Sequence, residues 1–131
     1  MCQNCTGNSN APEGSDKHTD CTCNAGATGN DGQECILCAA GKYKILTGNA
    51  ACTDCVVGKY YTKISAFSDE CVTCPARSDA LAGSPARTNC SCNAGSSGVN
   101  GETCAICPAG KFSELGASKY YWVVIQDLQV R

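Results

Sequence analysis

The fourteen cysteines of this 131-residue chain fall into five C-x-x-C and two C-x-C pairs, and their order recurs at a fixed offset of 69 residues. Cys2, Cys5, Cys21, Cys23, Cys35 and Cys38 map onto Cys71, Cys74, Cys90, Cys92, Cys104 and Cys107. A repeat of this kind means an array of small units that lean on their neighbours, not one globule around one core. Such a cysteine content exceeds the roughly 8–10% at which composition alone indicates a disulfide scaffold. Before Ser118 there are only fourteen Val, Leu, Ile and Phe residues. That little apolar surface cannot offset an ordering entropy of roughly 1–2 kcal/mol per residue, so crosslinks must take the place of a core.

An even cysteine count among abundant Gly, Asn, Ser and Thr points to an oxidising compartment, hence to the cell surface or the exterior. A net charge of −2 with scattered lysines provides no basic stripe and argues against nucleic acid. No stretch reads as a membrane span. The chain starts Met1-Cys2 inside a repeat instead of with a secretory leader, so the leader and earlier repeats are expected outside these residues, which read as a fragment of a longer secreted protein.

Three segments are expected. Residues 2–70 form a first cysteine-rich repeat, in which 38–70 carry the elements Cys38-Ala-Ala-Gly41-Lys42-Tyr43 and Cys55-Val-Val-Gly58-Lys59-Tyr60. Residues 71–118 form a second, truncated repeat, where the element returns as Cys107-Pro-Ala-Gly110-Lys111-Phe112. In each, Gly allows a positive-φ turn beside a crosslink, the aromatic is expected to cover the disulfide, and Lys is expected to stay solvated. Strands are expected within Gly41–Leu46 and Gly58–Ile64, and helix should be almost absent. Residues 119–131 hold no cysteine, and Tyr120, Tyr121, Trp122, Val123, Val124 and Ile125 read as a strand that opens a following domain or adds to a partner's sheet.

Tandem repeats favour a pairing that repeats in register, and short loops close at least entropic cost. One scheme satisfies both: Cys5 with Cys21, Cys23 with Cys35, Cys38 with Cys52, Cys55 with Cys71, Cys74 with Cys90, and Cys92 with Cys104. Nested pairings stay open. Under this scheme Cys2 and Cys107 are left over, each as half of a bond to a preceding or following unit.

The run Cys71-Val-Thr-Cys74-Pro75-Ala-Arg-Ser78 through Cys90-Ser-Cys92-Asn-Ala-Gly95, with the C-x-x-G-K-[YF] elements, resembles the ephrin-receptor-like cysteine-rich repeats of the growth-factor-receptor and tumour-necrosis-factor-receptor type. Residues Cys21 to Cys35 also resemble the second half of an EGF module, so that 2–38 reads as an EGF-like and ephrin-receptor-like part, and that resemblance implies a Cys23–Cys35 bond. The implied fold is a small disulfide-rich one of loops and short β-hairpins, strung into an elongated tandem-repeat rod. Such arrays occur in surface proteins of algae and other protists, mastigonemes among them, and in animal receptor ectodomains. The first unit departs from the pattern in having Thr6 where the second has Pro75.

Other chemistries fit less well. Five C-x-x-C pairs could hold zinc, but their alternation with C-x-C and near-constant loops suit crosslinking better. None of the pairs has the strand-then-helix setting of a redox motif, and His18, the single histidine, reads as a solvated loop residue. Asn30-Asp31-Gly32 with Glu34 looks like a calcium loop, yet the second copy reads Val99-Asn100-Gly101-Glu102, so a turn is expected, no cofactor is required, and calcium is optional. Asn4-Cys5-Thr6 and Asn89-Cys90-Ser91 fit the N-glycosylation pattern. The expectation is a non-enzymatic structural module that builds a filament, appendage or stalk, with copies of itself, flanking repeats of its parent or other extracellular proteins as partners. A ligand-binding receptor or adhesion ectodomain is the alternative.

Overall fold

Where cysteines recur every few residues, the chain cannot run straight for long, and the strands are correspondingly brief. The structure, a computed structural model, describes residues 1–114. Its twelve strands are each two residues long and pair in order as antiparallel ribbons. In the first repeat these are β1 (Ser9–Asn10) with β2 (Thr22–Cys23), β3 (Ala27–Thr28) with β4 (Ile36–Leu37), and β5 (Lys42–Tyr43) with β6 (Thr53–Asp54), while β7 (Lys59–Tyr60) pairs across the repeat boundary with β8 (Val72–Thr73). The rest are β9 (Ser78–Asp79) with β10 (Ser91–Cys92), and β11 (Ser96–Ser97) with β12 (Ala105–Ile106). No α-helix occurs among the described residues, only 3-10 turns at His18–Asp20 and Arg87–Asn89.

The repeat seen in the cysteines extends to backbone geometry. Ser9 opposes Cys23 and Ser78 opposes Cys92; Ala27 opposes Leu37 and Ser96 opposes Ile106. Asn8 and Arg77, at equivalent places, share a left-handed φ of 62°.

The strands are shorter than the β-forming runs Gly41–Leu46 and Gly58–Ile64 promised, because each changes partner after two residues. Tyr43 makes a parallel bridge to Ala66 and Tyr60 one to Ser84. The amide of Lys44 then donates to the Ala66 carbonyl at 3.0 Å, and that of Tyr61 to the Ser84 carbonyl at 3.2 Å. One hairpin thus borrows backbone partners from further along the chain. A parallel relay does the same for the cysteines, since Gly48, Ser65 and Gly83 donate their amides to the carbonyls of Cys23, Cys38 and Cys55, each at 2.8 Å. Units are therefore held in series by main-chain bonds, as in other quasi-one-dimensional repeat folds.

Close approach between units also explains one glycine requirement. Gly41 has φ of +84°, and a Cβ placed there would lie 2.4 Å from the Gly83 carbonyl oxygen. Only glycine serves both the conformation and the contact.

Burial confirms that sulfur replaces a hydrocarbon core. Among the described residues, apart from Ala27, Ala66 and Ala80, the buried apolar residues are all cysteines: Cys23, Cys35, Cys38, Cys55, Cys74, Cys90, Cys92 and Cys104. Large side chains lie outside, with Ile36, Ile64, Phe67 and Val99 each more than 60% exposed. The aromatic cover is uneven. Tyr60 packs on the cluster of Cys74, Ala80 and Cys90, one unit beyond its own cysteine, whereas Phe112 is exposed. No helix among the described residues is long and apolar enough to cross a membrane. The strand expected at 120–125 lies outside the described residues.

Candidate functional site

Six disulfides run along the described chain: Cys5–Cys21, Cys23–Cys35, Cys38–Cys52, Cys55–Cys71, Cys74–Cys90 and Cys92–Cys104. Their Cα–Cα distances of 5.7–5.8 Å sit in the middle of the range a disulfide accepts. Each closes a loop of 12 to 16 residues, and every C-x-x-C or C-x-C between the first and last pairs sends one sulfur backward and one forward. The result is an unbroken ladder. A sulfur held in a disulfide is no thiolate ligand, so a four-cysteine zinc site has nothing to draw on from these twelve.

The ladder stops at two thiols, Cys2 and Cys107. Cys2 is exposed; Cys107 is half-buried, and its Sγ lies 3.4 Å from the Ser113 hydroxyl. Position 71, the equivalent of Cys2, bonds backward to Cys55, and position 38, the equivalent of Cys107, bonds forward to Cys52, 14 residues on. The same step from Cys107 reaches Tyr121, which has no sulfur. These two thiols are the reactive groups that the covalent pattern leaves available, and what they can do is thiol–disulfide exchange.

Between the ends, the most unusual side chain is Lys44, which the reading of the sequence did not single out. It is buried, and its ammonium donates to the Ala27 carbonyl at 2.7 Å and to the Gly48 carbonyl at 2.5 Å. Burial lowers its pKa from the usual 10.5. In the second repeat Ser113 holds the equivalent place, and its hydroxyl donates to the Ser96 carbonyl at 2.8 Å, the counterpart of Ala27. Two unlike side chains therefore satisfy the same turn, and comparing those positions across the repeat was the one available signal. Of the C-x-x-G-K lysines, Lys111 is exposed as expected, but the other two are less solvated. Lys42 and Lys59 are half-buried, and Lys42 pairs with Asp54 on the facing strand.

The remaining sites are surface features. Asn4 and Asn89 are both exposed. The Asn89 side-chain carbonyl accepts the Ala86 amide at 3.0 Å, and Ser91, the hydroxyl residue of its acceptor triplet, is fully buried with no partner for its Oγ. The Asn30–Gln33 segment is a turn closed by the Gln33 amide on the Asn30 carbonyl at 3.0 Å, with Gly32 at φ of +77°. The equivalent Val99–Glu102 turn closes in the same way, which shows that Asp31 is not needed for the geometry. No cluster of three metal-binding side chains occurs among the described residues. His18 is exposed and lies over Gly32, where an added Cβ would meet its ring at 2.7 Å.

Residues 26–71, less than half of the chain, match the family described as tyrosine-protein kinase ephrin type A/B receptor-like. No curated protein matches the chain. The matched segment spans the β3–β4, β5–β6 and β7 units and holds the Cys38–Cys52 and Cys55–Cys71 disulfides whole, so the chain carries a disulfide-rich, ephrin-receptor-like module of extracellular type.

Proposed function

We propose that this chain is a non-enzymatic structural module of the cell exterior, a stiff crosslinked rod that assembles end to end into a filament, appendage or stalk. The observation that supports it most is the unbroken ladder with one unpaired thiol at each end. A rod whose apolar groups already face outward needs no refolding to make lateral contacts, and its units resist extension because each is covalently tied to the next in sequence. Copies of the chain or flanking repeats of its parent are the natural partners.

The family match favours a second reading, a receptor or adhesion ectodomain that presents the same rod to a protein ligand. The C-x-x-C strands would serve it, since Ile36, Val72 and Ile106 are exposed on short ribbons. Negative-stain microscopy of oxidised protein over a concentration series separates the two. Filaments that lengthen with concentration support the structural reading; a monomer at every concentration that captures one surface protein overturns it.

A further inference from the structure

The interior of the array shows what each free end lacks. Within the chain, the Cys55–Tyr60 element meets the unit that follows it through the β7–β8 ribbon and through further contacts, four of which bear on the free ends. Cys55 is bonded to Cys71, the Gly58 amide donates to the Ala80 carbonyl at 2.8 Å, the Gly83 amide donates to the Cys55 carbonyl at 2.8 Å, and Tyr60 bridges to Ser84. Through the 69-residue repeat, the receiving residues Cys71, Ala80, Gly83 and Ser84 correspond to Cys2, Ala11, Gly14 and Ser15.

That first-repeat face has the same build, and no described residue covers it. Ser84 is 4% exposed and Ala80 5%, whereas Ser15 is exposed and Ala11 half-buried. The local backbone is nevertheless the same: Gly14 and Gly83 have φ of 83° and 76°, and the hydroxyls of Ser15 and Ser84 donate to the carbonyls of Pro12 and Leu81 at 2.6 and 2.5 Å. A shallow depression there is lined by Pro12, Gly14, Ser15 and Asp20. At the other end, Cys107-Pro108-Ala109-Gly110-Lys111-Phe112 has the C-x-x-G-K-aromatic form of Cys55–Tyr60, with Gly110 at φ of 85° against 88° for Gly58. Its thiol is free, Phe112 is 84% exposed, and no described residue lies within 4 Å of where a Cβ on Gly110 would point.

We propose that the face formed by Cys2, Ala11, Gly14 and Ser15 receives the Cys107–Phe112 element of a second copy of this chain, in the register in which Cys55–Tyr60 meets Cys71–Ser84. The Gly110 amide then donates to the partner copy's Ala11 carbonyl, the Gly14 amide to the Cys107 carbonyl, and Cys107 bonds to Cys2 of the next copy. The covalent step uses a small-molecule disulfide such as oxidised glutathione. The Cys107 thiolate attacks it and releases one glutathione thiol, and the Cys2 thiolate then attacks Cys107 in the mixed disulfide and releases a second. Two protein thiols are oxidised and one glutathione disulfide is reduced. The proposal deepens the end-to-end reading and rests on it.

The test uses Cys2→Ser and Cys107→Ser chains, which leave all six disulfides intact. Each alone in a glutathione redox buffer keeps one free thiol and should dimerise only slowly, through symmetric Cys107–Cys107 or Cys2–Cys2 bonds. An equimolar mixture should form a disulfide dimer about tenfold faster than either alone, because docking raises the local thiol concentration, and should yield the Cys2–Cys107 peptide. In that dimer the Gly14 and Gly110 amides should gain protection from hydrogen exchange. Dimers that form equally fast in either single variant, a mixture that stays monomeric, or unprotected Gly14 and Gly110 amides would each overturn the register. Wild-type filaments lacking the Cys2–Cys107 peptide would sink this junction while leaving end-to-end assembly standing. A mixed dimer whose wild-type parent forms no filaments would uphold the junction and remove the filament reading.

Discussion

Replacing Gly41 and Gly110 by alanine separates backbone strain from packing between units, because the two share a conformation and differ in surroundings. Their φ values are +84° and +85°, but a Cβ at Gly41 would lie 2.4 Å from the Gly83 carbonyl oxygen while one at Gly110 meets no described residue within 4 Å. A left-handed alanine costs about 1–2 kcal/mol, part of which is returned by about 0.4–1 kcal/mol of lost freedom in the unfolded chain. Both variants should therefore lose about 1 kcal/mol. At Gly41 the obstacle is main chain held by the Gly83 amide's own bond to Cys55, so the added methyl should cost about 1–3 kcal/mol more, as overpacking does. The assay is guanidinium unfolding of oxidised protein carrying Cys2→Ser and Cys107→Ser to keep it monomeric, with hydrogen exchange at the Gly83 amide. Equal losses in the two variants, within about 0.5 kcal/mol, would show that the units do not press on one another and would refute the relay.

Lys44→Met should destabilise by about 1–3 kcal/mol, because the Ala27 and Gly48 carbonyls lose their donor; denaturant titration checks it. In the native chain Lys44 should be the slowest lysine to acetylate, read by mass spectrometry against Lys63. Since burial lowers its pKa below 10.5, the folded state gives up this proton before the unfolded state does. Its contribution therefore makes stability rise with pH up to about 10.5, a slope that Lys44→Met should remove. Asp54→Asn should cost under about 1 kcal/mol, since the Lys42–Asp54 pair is roughly half exposed, and a larger loss in thermal unfolding would contradict that. Replacing both Cys38 and Cys52 by Ser should cost about 3 kcal/mol. Hydrogen exchange should rise around β5 and β6 while the amides near Cys90 and Cys104 keep their protection; loss of protection throughout would mean the array is not quasi-one-dimensional.

Much of the fold was legible because it is local. Cysteine spacing, glycines after each C-x-x, and the scarcity of aliphatic residues all act within a dozen or so positions, and they are enough to specify short hairpins, near-absence of helix and a sulfur core. The strand lengths were not legible, because Tyr43 and Tyr60 end their ribbons by bridging to Ala66 and Ser84, residues in a later unit. Lys44 was missed for the same kind of reason. A lysine beside C-x-x-G-K-Y reads as solvent-facing until the turn around Gly48 closes over it and offers carbonyls.

By itself, then, the order of residues determined the unit: how long each loop is, where it turns, and that covalent bonds do the work of hydrocarbon. Tertiary structure decided how units meet, which glycines must stay bare, which lysine is enclosed and which surfaces are left open. Those contacts join residues too far apart in sequence for propensity or spacing to specify, and they exist only once neighbouring units are stacked.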